Sequence, residues 1–131
     1  MVRAPAATVI LVALLSGCAS GLHRPVVSVD AIPDAQGVQR VDVSLHSFYF
    51  KPNRIVVHSG RPVDLTIRNR SIFVPHNFSI HDSALTVDVD KWGLGSAHAR
   101  FTAPQPGEYH FFCHVDEHGK KGMVGTLVVV P

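Results

Sequence analysis

From about Val38 onward the chain places apolar and polar residues in short alternating runs bounded by turn formers, the pattern of half-buried strands. "VDVSL" alternates strictly, and "IVVH" is a short apolar run that stops at Ser59-Gly60. In the run after that turn, Val63, Leu65 and Ile67 face one way and Asp64, Thr66 and Arg68 the other. "NFSIH" is a further candidate strand. "ARFTAPQPGEYHFFC" reads as the end of one strand, a Pro-Gly turn and a new strand in which Tyr109, Phe111 and Cys113 share a face. "GTLVVV" is a largely apolar run, as expected of a strand central in its sheet. The segment from Asp82 to Ala99 is the least regular: Gly93 and Gly95 around Trp92 predict a loop with a turn of helix, and Trp92 is expected to pack in the core beneath it. Short strands separated by turns over about 95 residues predict an all-β fold, a single-domain Greek-key β-sandwich.

Before this pattern the chain reads differently. "MVRAPAATVILVALLSGC" has a basic Arg3, an apolar run from Ala6 to Leu15 and small residues before Cys18, the layout of a signal peptide. A helix needs about 20 apolar residues to cross a bilayer, so this run is too short to span one. Leu15-Ser16-Gly17-Cys18 resembles a bacterial lipobox, which implies cleavage before Cys18 and acylation of its thiol. An ordinary secretory signal with an incidental cysteine is the alternative. The expected division is a lipoprotein signal peptide over residues 1–17, a membrane tether over 18–37, and the domain over 38–131. The expected location is that of an exported, membrane-anchored lipoprotein facing the periplasm or cell exterior. Ala19 after the cysteine resembles the outer-membrane class in cells that have such a membrane. His23 falls in the tether.

Composition narrows the chemistry. The chain has 131 residues, enough for one domain with a core, and its formal charge of +2 gives no electrostatic case for nucleic-acid binding. Nine histidines bring a metal into consideration. If Cys18 carries lipid, Cys113 is the only thiol left, and a lone thiol in an oxidising compartment calls for a metal, a catalytic role or a partner chain.

"FFCHVDEHGKKGM" places Cys113, His118 and Met123 on one strand-to-strand loop, where a sandwich can direct all three toward one point. "VPHNFSI" offers His76 at a strand end, with Pro75 restricting Val74 to extended geometry. Two imidazoles, one thiolate and a distant thioether make a His₂Cys set with a weak axial ligand, the pattern of a blue-copper electron-transfer site. Thiolate and thioether favour Cu(I), imidazole binds both oxidation states, and a metal would hold Cys113 deprotonated.

With these residues in place, the sequence resembles the cupredoxin family. "FYFKPNRIVVHSGRPVDLTIRN", "VPHNFSI", "FTAPQPGEYHFFC" and "GMVGTLVVV" follow one another in family order from about Val41 to Pro131. The Cys113-x₄-His118-x₄-Met123 spacing is similar to auracyanin-like members more than to plastocyanin. The resemblance implies one copper ion, with His76, Cys113 and His118 as equatorial ligands and Met123 as the axial one. It also implies that Asn77 ties the ligand loops together by hydrogen bonds, and that the electron passes through an exposed edge of His118. Two positions depart from the family. His114 stands where a Ser, Thr or Pro is common, which leaves Asn77 no hydroxyl to bond there, and Asp116-Glu117 stand where Pro-Gly is common.

His46, His58, His81, His98 and His110 lie on or beside predicted strands without metal spacing and are expected to be surface or structural residues. His114 neighbours Cys113 but should point to the opposite face. The expected function is electron transfer by a monomer cycling Cu(II) and Cu(I), making transient contacts with a redox protein such as a cytochrome or copper enzyme and held to the membrane only by its lipid. The alternative is copper delivery, storage or resistance. An enzyme is not expected, since copper oxidases and nitrite reductases need further domains and His-rich copper sites.

Overall fold

A computed structural model describes residues 24–131; the expected signal peptide, Cys18 and His23 lie outside the described residues. Ten strands follow one another: β1 (Ser28–Asp30), β2 (Gln39–His46), β3 (Tyr49–Lys51), β4 (Arg54–His58), β5 (Pro62–Asn69), β6 (His76–His81), β7 (Thr86–Lys91), β8 (Ser96–Thr102), β9 (Gly107–Phe112) and β10 (Val124–Val130). A 3-10 turn, Val115–Glu117, lies between the last two. The strands form two sheets, ordered β1-β4-β10-β9-β6-β7 and β3-β2-β5-β8, the all-β sandwich expected from the sequence.

The alternation in the sequence becomes the core. Val41, Val43 and Leu45 of β2 and Val63, Leu65 and Ile67 of β5 are buried side by side in parallel register. The facing sheet contributes Ile55 and Val57, Phe78 and Ile80, Tyr109 and Phe111, and Leu127 and Val129. Phe50, Phe78 and Phe111 meet at the centre with ring centroids 4.8–5.8 Å apart. β10 is central as expected, parallel to β4 and antiparallel to β9. Gly125 is required there, because a Cβ would come within 2.2 Å of the Phe111 ring and 2.6 Å of the Asn53 carbonyl oxygen.

Three expectations need correction. The tether does not run free to residue 37: Ser28–Asp30 pairs with β4, and Asn53 fixes the preceding chain by accepting from the Val27 amide and donating to the Pro25 carbonyl. That pairing satisfies the backbone of a sheet edge and requires no side-chain periodicity, so the sequence carries little sign of it. Within the irregular segment, residues 86–91 form a full strand instead of a loop with a helical turn. Trp92 is 70% exposed. Strand parity explains this: Val87 and Lys91 point inward, so the next residue turns out. The inward Lys91 donates its ammonium protons to the carbonyls of Trp92, Gly93 and Leu94.

Candidate metal centre

The connections after β2, β5, β7 and β9 all leave the sandwich at the end where His76 begins β6 and Lys91 ends β7. Strand alternation carries past Phe112, so Cys113 turns inward and is 1% exposed while His114 turns outward. The Cys113–Met123 loop then closes on itself. The His118 amide donates to the Val115 carbonyl, the Gly119 amide to the Cys113 carbonyl, the Met123 amide to the His118 carbonyl and the Cys113 amide to the Met123 carbonyl. Asp116 and Glu117 adopt left-handed backbone, with φ of 41° and 57°. Non-glycine residues rarely do so, and a proline at position 116 could not adopt this backbone.

Backbone closure brings the candidate ligands together. The Nδ1 atoms of His76 and His118 lie 3.2 Å apart, and Cys113 Sγ lies 3.5 Å from His118 Nδ1. His76, Cys113 and His118 form a buried group of potential metal donors, and Met123 is fully buried in the same loop. Burial, helped by the neighbouring His118, lowers the pKa of His76 to about 4. Burial also lowers that of His118, with Lys121 adding to the effect. Both rings are therefore neutral at pH 7 and keep a lone pair. Burial raises the Cys113 thiol, outweighing the Asn77 amide that donates to Sγ at 3.4 Å. The thiol keeps its proton until a cation displaces it.

The donors fit a metal better than they fit one another. In the Nδ1–Nδ1 contact one ring must donate and the other accept, so only one of the two lone pairs is used there, while His76 Nε2 has no partner among the described residues in either case. A cation facing both Nδ1 atoms and the sulfur would use all three lone pairs at once. Two imidazoles, a thiolate and a thioether match copper's preferences.

Comparison with known proteins agrees with this chemistry. The sequence profile of the cupredoxin-like domain family matches residues 6–129. The chain belongs to the cupredoxin-like domain family. Its fold is similar to that of sodium-dithionite-reduced auracyanin from Roseiflexus castenholzii, with a TM-score of 0.64 and 21% identity over 70% of this chain and 97% of that one. It is also similar to the metal-binding domain of the Streptococcus pneumoniae D39 Cu(I)-exporting P-type ATPase solved with Cu(I), with a TM-score of 0.62 and 19% identity over 79% of this chain and 96% of that one. An iron multicopper oxidase of Mycosarcoma maydis is 32% identical over 87 residues, covering 66% of this chain but only 13% of the oxidase.

In this cupredoxin, Asn77 does tie the loops together, by a different route from the one expected. Its Oδ1 accepts from the backbone amide of His114 at 2.9 Å, so no hydroxyl at position 114 is needed. Its Nδ2 donates to Ser79 Oγ and Asp88 Oδ1. The His114 ring points outward as expected, toward Asp88. The other histidines are placed by structural contacts: His46 stacks on Tyr49, His58 meets the Pro131 carbonyl, His98 meets Asp64 and His110 meets Thr126.

His118 is not exposed as expected; it is 3% accessible. Phe48, in the turn between β2 and β3, lies edge-on to it with ring centroids 4.9 Å apart. Lys121 Nζ lies 4.6 Å from the centroid of the Phe48 ring. The sequence reading missed this cover, because Phe48 comes from the opposite sheet and only the hairpin turn delivers it.

Proposed function

We propose that the protein is an electron carrier holding one copper ion at His76, Cys113, His118 and Met123, with no substrate turnover of its own. The observation that supports this best is the convergence of two neutral imidazoles and a thiol inside 4.8 Å in a buried pocket. Bound copper supplies one-electron cycling between Cu(II) and Cu(I). The chain's part is to hold the donors in one arrangement for both states. The loop's backbone bonds and the Asn77 bridge fix Cys113 and His118 without help from a metal, and sandwich packing excludes water from Met123 and His76.

The same end of the fold exposes apolar side chains suited to brief contacts with a redox protein such as a cytochrome or copper enzyme. Phe73 is 94% exposed, Leu94 77% and Trp92 70%, on the loops before β6 and after β7. Small, transient interfaces are typical of redox pairs. In this reading the protein is an exported monomer anchored by lipid on Cys18, and mass spectrometry of membrane-extracted protein tests the lipid.

A second reading, copper delivery or storage, is favoured by the likeness to the Cu(I)-bound exporter domain. A visible and EPR spectrum of the copper-loaded chain, followed by potentiometry, separates the two. Electron transfer predicts intense blue or green absorption and rapid exchange with a cytochrome. Delivery predicts copper transfer to an apo-protein and slow redox exchange.

A further inference from the structure

On the outer face of the six-stranded sheet, directly behind the Cys113 centre, lies a second group of metal-ligating side chains. Asp88 and Asp90 alternate on β7 and face solvent, and His114 projects over them from the end of β9. One ligand atom from each of Asp88, Asp90 and His114 falls within 4.8 Å of the other two. His114 Nε2 is 3.3 Å from Asp88 Oδ1. Two ligands on a tetrahedral zinc ion at about 2.0–2.1 Å sit roughly 3.3 Å apart, so this pair already has the spacing of one edge of such a site. His81 Nε2 lies 3.7 Å from the other oxygen of Asp88 and supplies a further imidazole at the rim.

Asp88 is also held in place. Ser79 Oγ donates to its Oδ1 at 2.7 Å and Asn77 Nδ2 donates to the same oxygen at 3.2 Å, which fixes the carboxylate as outer-shell partners fix metal ligands. We propose that Asp88, Asp90 and His114 form a second metal site, taking a divalent transition ion of the zinc class. The donors are nitrogen and oxygen only, which separates this site from the sulfur-bearing one and suits Zn(II) over Cu(I). Three protein ligands leave room for water or His81 to complete the shell.

The sequence alone hides this group. Asp88 and Asp90 lie in the segment with the weakest pattern, and His114 reads as an unexplained departure beside Cys113. The antiparallel β6–β7 pairing, with Asn77 opposite Asp90 and Ser79 opposite Asp88, and the β6–β9 pairing, with Ser79 opposite Phe112, together bring the three onto one face.

The site stands whether or not the Cys113 centre holds copper, and Co(II) absorption can report each site separately. In the full chain, Co(II) at Cys113 gives a thiolate charge-transfer band in the near ultraviolet, whereas Co(II) at the outer site gives only weak visible bands. With the Cys113 centre loaded first with copper, equilibrium dialysis against Zn(II) at neutral pH should add one saturable zinc per chain. Asp90→Asn and His114→Ala alter exposed side chains, so circular dichroism should show the fold retained. Each should weaken zinc binding by more than about tenfold and leave the copper content unchanged. If the chain does not hold copper, Co(II) alone should show one ion without a thiolate band, which either variant loses, whatever the Cys113 centre binds. No zinc bound by the copper-loaded chain, no ion beyond the one reported by the thiolate band, or variants that bind as the parent does, would overturn the proposal.

Discussion

Two clusters of buried polar side chains, one on each sheet, are satisfied in opposite ways. On the four-stranded sheet, Asp64 of β5 lies between Arg40 of β2 and Arg100 of β8, each in direct cross-strand register with it. Both guanidinium groups donate to its Oδ2, and His98 Nδ1 donates to its Oδ1 at 2.7 Å. A carboxylate that is only 7% exposed thus has its countercharge supplied by neighbours on the same sheet. On the other side of the core, His76, Cys113 and His118 present lone pairs to one another and leave His76 Nε2 without a partner. The first cluster is complete within the chain, whereas the second gathers two ring nitrogens and a sulfur whose lone pairs a single cation would use together. The unpartnered ring nitrogen of His76 costs about 1–3 kcal/mol, so the second cluster is the one at which the fold gives up stability.

The most decisive way to break this contrast is to supply the cation. Copper should raise the thermal midpoint of the parent chain, with stabilisation reaching about 4 kcal/mol at a thousandfold excess over Kd. A chelator should reverse the shift, and Cys113→Ser should abolish most of it together with the visible colour. Thermal melts with and without copper that coincide would remove the distinction between the two clusters.

A smaller effect comes from cutting the bridge at Asn77. Asn77→Ala removes the acceptor for the His114 amide and the donors to Ser79 and Asp88, and should cost about 1–3 kcal/mol in urea denaturation of the metal-free chain. It should also alter the spectrum of the copper-loaded chain, because the lost side-chain bond holds the backbone at His114, next to Cys113.

The self-satisfied cluster should respond to acid. Burial pushes the Asp64 carboxyl up, but the hydrogen bonds from His98 and Arg100 outweigh it and hold the group below the usual carboxylate range. A depressed folded-state pKa stabilises the protein above the unfolded value of about 4, and that contribution is lost as pH falls through the folded-state pKa. Asp64→Asn should therefore cost about 1 kcal/mol at pH 7, and the gap from the parent should close as pH drops below about 4. Melting curves across that range that stay a constant distance apart would contradict this origin.

How much of each region could be read in the sequence follows from the same physics. The metal cluster was legible because thiol and thioether are scarce in this chain and chemically distinctive beside imidazole, and because Pro75 and the spacing from Cys113 to Met123 mark strand ends. The sandwich was legible wherever alternation was strict, as at Val63, Leu65 and Ile67. The rest depended on pairings that leave no periodic trace. The Ser28–Asp30 edge strand is held by backbone bonds, Asp64 looks like any outward polar residue until its neighbours are known, and Trp92 follows the parity of a strand hidden among aspartates.

The smallest expected effect concerns Phe48. Its φ of 69° is a backbone that glycine adopts freely and a phenyl-bearing residue does not. Phe48→Gly should relieve that strain while giving up the ring's contacts, leaving stability within about 1 kcal/mol of the parent. What changes is access: His118 loses the ring beside it, and solvent reaches the imidazole. A chain that kept glycine here would be easier to fold and would leave its most reactive edge open to small oxidants. The aromatic residue in that turn therefore acts as a shutter, and replacing it is the most economical way to learn whether the protein is built to pass electrons only to a partner that touches it.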